Sequence, residues 1–94
     1  MFVNMAFVNP SRGKEDEMIS RMHDFAKSLE IAPDLLGIHV LSEIGGNTLL
    51  GISMWKDKES FDRAMANLAA GPSSASKSEA LRENPPIARQ FKEI

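Results

Sequence analysis

Leu35 to Trp55 reads LLGIHVLSEIGGNTLLGISMW. Two runs rich in branched aliphatic residues flank Gly45-Gly46, and a glycine pair between such runs is a hairpin signal. Leu35–Glu43 and Asn47–Trp55 are therefore expected to be antiparallel neighbours. With a tight turn at the two glycines, Leu36 faces Trp55, Ile38 faces Ser53 and Val40 faces Gly51. Side chains alternate along a strand, so these six share one face of the sheet. His39 then faces Ile52 and lies on the opposite side with Leu41 and Leu50.

On the N-terminal side of the hairpin the period changes. Met18, Met22, Phe25 and Leu29 fall at the spacing of one helical stripe. Glu15, Asp16 and Glu17 crowd the first turn, where the helix dipole favours negative charge. The spacing predicts a helix over Lys14–Glu30, stopped by Pro33 because residues before proline leave helical geometry. Upstream, Phe2–Asn9 (FVNMAFVN) reads as a strand, closed by the turn residues of Asn9-Pro10-Ser11-Arg12-Gly13. Beyond the hairpin, Asp57 is placed to cap a second helix that carries Phe61, Met65 and Leu68 on one face. Gly71-Pro72-Ser73-Ser74 should break it, and Ala75–Glu83 is compatible with further helical turns. Asn84-Pro85-Pro86 is a stop before a last strand, Ile87–Ile94.

The order β-α-β-β-α-β is the ferredoxin-like α+β arrangement: a four-stranded antiparallel sheet with both helices on one face. One domain over residues 1–94 is expected from the length. The first strand is apolar on both sides, with Phe2, Ala6 and Val8 pointing one way and Val3, Met5 and Phe7 the other. Two helices cover one face only, so the bare face implies a homodimer with sheets packed face to face.

Composition narrows the function. The 94 residues carry 11 basic and 13 acidic side chains, net charge −2, without the basic patch that nucleic-acid binding needs. No apolar run is long enough to span a membrane, and Met1-Phe2-Val3-Asn4 lacks the features of a signal peptide, so a cytoplasmic location is the expectation. With no cysteine, thiolate catalysis and cysteine-bound metals are excluded. Two isolated histidines do not make a metal site.

A strand ending in tryptophan, a charged turn and a helix opening with phenylalanine run through Ser53-Met54-Trp55-Lys56-Asp57-Lys58-Glu59-Ser60-Phe61. This stretch resembles the antibiotic biosynthesis monooxygenase family. Asp34-Leu35-Leu36-Gly37-Ile38-His39 after Pro33, and Val3-Asn4-Met5 followed by Gly13-Lys14-Glu15, extend the likeness over Phe2–Leu68. The resemblance implies a dimeric α+β barrel and a small aromatic substrate, quinol or polyketide, oxidised by O2 without metal or flavin. It also implies a haem-degrading branch, with an asparagine on its first strand that Asn4 matches. That branch has a histidine on the second helix about ten residues past the tryptophan. Met65 stands there instead, and no histidine follows His39.

Each candidate residue has a structural role to weigh against a chemical one. Trp55 is either a large core residue or a wall on which an aromatic ligand stacks. Gly51 and Ser53 beside it leave room for a ligand, unless Met65 or Phe61 fills that room. Asn4, a polar amide in an apolar strand, needs a partner; otherwise it orients a ligand carbonyl or bound oxygen. His23 and His39 are the only side chains whose type suits proton transfer near neutrality. His39 is on the expected dimer face, and His23 flanks the first helix's apolar stripe toward solvent. The leading expectation is a cofactor-independent monooxygenase in which Trp55 stacks, Asn4 or Ser53 donates a hydrogen bond and His23 or His39 moves a proton. A non-catalytic small-molecule-binding or stress-response module of the same fold is the alternative, and a purely structural dimer the third.

Overall fold

A computed structural model describes residues 1–69 and 84–94. The hairpin is formed by β2 (Leu35–Ser42) and β3 (Leu49–Trp55), with Ile38 opposite Ser53, His39 opposite Ile52 and Val40 opposite Gly51. The register is centred on Gly45-Gly46 as expected, but the connection is wider than a two-residue turn. Pairing ends at Ser42 and Leu49, and the Glu43 N–H then donates to the Thr48 carbonyl at 2.9 Å, enclosing Ile44–Asn47. Gly45 takes φ 83, a value that favours glycine.

At the other end of the hairpin the expected Leu36–Trp55 pair is replaced. Leu35 sits opposite Trp55 and Gly37 opposite Met54, so Leu36 is an extra residue in a bulge and is exposed. The cause lies just upstream. Asp34 adopts φ 65, accepts a hydrogen bond on its carbonyl from the Lys56 N–H at 2.9 Å, and accepts one on Oδ2 from Ser60 Oγ at 3.2 Å. These bonds tie the entry of β2 to the segment that follows β3, and the chain takes up the misfit at Leu36.

The strand β1 (Phe2–Val8) lies between β3 and β4 (Ile87–Lys92), giving the sheet order β2-β3-β1-β4, all antiparallel. Both helices, α1 (Glu15–Leu29) and α2 (Lys58–Ala69), follow the expected positions within a residue or so at the ends that were predicted. Asp57 caps α2: its Oδ1 accepts from the Ser60 N–H at 2.9 Å and from Ser60 Oγ at 2.7 Å. The expected break at 71–74 and helical turns at 75–83 lie outside the described residues.

Registers across the sheet sort the side chains into two faces. Phe2, Asn4, Ala6 and Val8 share a face with Trp55, Ser53, Gly51 and Leu49, and with Lys92, Gln90 and Ala88. This is the helix-covered face, because Met22 of α1 comes within 3.6 Å of the position a Cβ would take on Gly51. The core forms in two clusters on it. Phe2, Leu29, Trp55, Phe61 and Ala64 make one; Val8, Met18 and Leu49 make the other. Phe25, expected on the buried stripe of α1, is 47% exposed. The opposite face carries Val3, Met5, Phe7, Leu50, Ile52, Met54, Leu41, Ile87 and Phe91, interrupted by His39 and Arg89. No described element covers it. The strand β4 is a sheet edge with every side chain exposed.

Trp55 is wholly buried, edge-on to Phe61 at 5.8 Å, while Phe2 and Phe61 stand 5.2 Å apart. Replacing Trp55 by alanine should cost about 3–5 kcal/mol in urea unfolding. Trp55→Phe should cost less, since it also removes an Nε1–H that is buried without a partner among the described residues. A Trp55→Ala loss below about 1 kcal/mol would mean the ring is not part of the core. Asp57 supplies a second check. The Ser60 hydroxyl and then its backbone N–H hold the Asp57 carboxyl below its ordinary value of 3.8. A depressed folded pKa gives stability that is present above the unfolded pKa and lost as pH falls through the folded one. Asp57→Ala should therefore lower Tm at neutral pH, and its deficit should shrink in melts below pH 3.8. A deficit unchanged in acid would remove the carboxylate from the explanation.

Candidate functional site

The two core clusters leave a band between them on the helix-covered face. Its floor is two rows deep: Ser53, Asn4 and Gln90 are paired across three strands, and so are Gly51, Ala6 and Ala88. The apolar residues Trp55 and Phe2 bound it at one end, Leu49 and Val8 at the other. The floor thus has small and polar side chains where the β1 and β3 residues on either side are large and apolar.

The band is closed at β3 and open at β4. Ser53 is buried, and Met22 lies over Gly51. The room left by glycine is therefore taken by a methionine of α1, and not by Met65 or Phe61. Asn4 and Ala6 are half-buried, and Gln90 and Ala88 are exposed. The floor is therefore exposed toward β4.

Asn4 has its partner across the strands. Gln90 Nε2 donates to Asn4 Oδ1 at 3.3 Å. With its oxygen engaged, the Asn4 amide presents its Nδ2–H groups as donors. Gln90 was not singled out from the sequence. The last strand was legible there, but its register against β1 depends on contacts across almost the whole chain.

The remaining candidates fall elsewhere. Trp55 has no exposed surface, so its ring is a core element and offers no face for a ligand. Met65 is half-buried and packs against the cluster that contains Trp55. A haem iron would need a histidine in that region of α2. The thioether found there is committed to the core, so these residues do not fit haem. His23 and His39 border a different groove, of about 460 Å³, at the outer edge of β2 together with Asp24, Lys27 and Glu30. By register His39 is two strands from Asn4 and on the other face. The two histidines are brought together with each other and not with the Asn4 floor.

A second groove, of about 420 Å³, lies where β1 begins, β4 ends and β3 passes into α2. Phe2, Gln90, Lys56 and Lys92 border it. No described group of histidines and carboxylates could hold a metal ion, and no described helix is long and apolar enough to cross a membrane.

Solved structures share this architecture. An antibiotic biosynthesis monooxygenase superposes with a TM-score of 0.81 at 11% identity, covering 100% of this chain and 99% of the other. A MhuD mutant with two manganese protoporphyrin IX molecules per active site gives 0.70 at 21% identity, with 100% and 95% covered. A heme-free, cleaved heme-degrading protein from Mycobacterium tuberculosis gives 0.70 at 20%, with 99% and 93% covered. At these identities the likeness is one of fold: the ferredoxin-like unit of the dimeric α+β barrel. No curated protein matches the sequence. The family model for antibiotic biosynthesis monooxygenase matches residues 1–70, which take in β1, α1, the hairpin and α2. On that match the chain belongs to the antibiotic biosynthesis monooxygenase family.

Proposed function

We propose that the chain acts as one domain and is a cofactor-independent monooxygenase for a small aromatic or quinol-type compound, with O2 as oxidant. The observation that carries this reading is the Asn4–Gln90 amide pair on an otherwise small and apolar floor, open at one edge. Its ligand-facing residue is Asn4; Ser53 and Gly51 form the closed end of the floor, and Trp55 and Met65 support it from the core. The chemistry asks little of the protein. A deprotonated substrate carbon passes electrons to O2, a carbon–oxygen bond forms, and the O–O bond breaks with loss of water. A CH2 group and O2 thus become a C=O group and water. The floor holds the ring, Asn4 Nδ2 donates to the oxyanion that delocalises the substrate's charge, and the covered end keeps water away.

His23 and His39, the expected proton carriers, stand outside this arrangement within one protomer. The reading therefore takes the substrate as its own phenolate or enolate, formed at or before binding. That same placement favours the alternative of a non-catalytic binding module, since Lys92 is the one titratable side chain that the described strands bring to this face. Haem degradation is not proposed, because Met65 occupies the place of the histidine.

Oxygen uptake with reduced phenols, anthrones and quinols separates the two. Activity should fall by about a hundredfold or more in Asn4→Ala, the scale seen when one oxyanion donor is removed. His23→Gln and His39→Gln should retain it. Uptake that survives Asn4→Ala but is lost with either histidine would move the chemistry to the β2 groove. No uptake across the panel by folded protein would favour the binding module.

The working unit in this reading is a homodimer joined through the open sheet face. Leu50 lies within that face, between Phe7 and Leu41. A carboxylate there would be buried without a partner. Leu50→Glu should convert a dimer to monomer in light scattering, while wild-type protein that runs as a monomer at micromolar concentration would overturn the dimer.

A further inference from the structure

We propose that the groove between the end of β4 and the β3–α2 turn is the anion end of the substrate site, and that the ligand is a small aromatic carboxylate. The inference rests on the reading above for where the ring lies, and adds the charge that the ligand must carry.

The groove adjoins the floor. The row Trp55–Phe2–Lys92 lies next to the row Ser53–Asn4–Gln90. Gln90, which bonds Asn4, borders the groove as well. Its volume of about 420 Å³ is the size of a small-ligand pocket. Phe2 gives it an apolar wall on the floor's side of the sheet, and Lys56, Lys58 and Lys92 bring three ammonium groups.

Two carboxylates, Asp57 and Glu93, also border the groove, so the charges must be matched. Asp57 caps α2 through the Ser60 N–H and hydroxyl, both neutral donors, so its charge stays in the groove and is felt by Lys56. Glu93 lies 3.7 Å from the amine of Met1. Lys58 is paired with Asp62 at 2.8 Å. Among the described residues, Lys56 and Lys92 make no ion pair. What is left over is one net positive charge, shared by Lys56 and Lys92 against Asp57, beside an aromatic wall and next to an amide floor. A neutral quinol would leave that excess charge to solvent alone. An aromatic ring bearing a carboxylate satisfies the wall and the charge together.

The probe is 2-naphthoate, compared with its methyl ester by calorimetry on the full chain. The acid should bind about tenfold or more tightly than the ester, the scale of two partly solvated charge contacts. Its affinity should fall as salt is raised. The double variant Lys56→Gln, Lys92→Gln should bring the acid down to the ester's affinity and leave the ester unchanged, with circular dichroism and Tm as checks of folding. Equal binding of acid and ester, or an acid affinity that the double variant does not alter, overturns the inference. The experiment reads binding alone. Tight, lysine-dependent binding without oxygen uptake would sink the monooxygenase and leave the acid site standing. Uptake of neutral quinols with no preference for acids would do the reverse.

Discussion

The strand β1 is hydrogen-bonded on both of its edges, and the rest of the molecule depends on that single double register. It places Phe2 between Trp55 and Lys92, and Asn4 between Ser53 and Gln90. Side chains alternate, so the same register sends Phe2 and Val8 under the helices and Val3, Met5 and Phe7 to the open face. A slip of one residue would exchange the two sets. Asn4 would then stand on the apolar face, and the core would lose two of its buried residues.

Much of this was legible because hydrophobic period and turn chemistry are local. Gly45-Gly46 and the flanking runs were enough to pair Ile38 with Ser53 and His39 with Ile52, and to put His39 opposite in sense to Trp55. The bulge at Leu36 was not, because it answers to Asp34, whose hydrogen bonds reach Lys56 and Ser60. Phe25 shows a different limit. A stripe of apolar residues says which side of a helix turns inward, but not how far the sheet extends beneath it.

The site was partly legible for the same reason. Asn4 and Ser53 could be suspected as polar residues among apolar neighbours, and the hairpin register placed Gly51 and Ser53 together. Gln90 and Lys92 carry no such mark. They matter through pairing with β1, which joins the two ends of the sequence. Trp55 had two readings of similar weight, and its complete burial selects the structural one. The floor that remains is bounded by two apolar clusters, so burial is maintained at both ends while the middle carries the Asn4–Gln90 amide pair. A chain of this size has little stability to spare. In the proposed dimer, the apolar face opposite would add to it.

The strand β4 holds on by one edge, with none of its side chains buried. Local opening of the native state is cheapest where few apolar contacts must be broken. Fraying of β4 would leave β1 with an unpaired backbone edge while the hairpin and both core clusters stayed intact. The sheet is therefore unevenly supported: β1 and β3 are paired on both edges under the helices, whereas β4 is held by one neighbour with no buried side chain. Amide exchange would run fastest in β4. Any compound that bridged Gln90 or Lys92 to the floor would act as a staple, slowing that exchange along the whole strand.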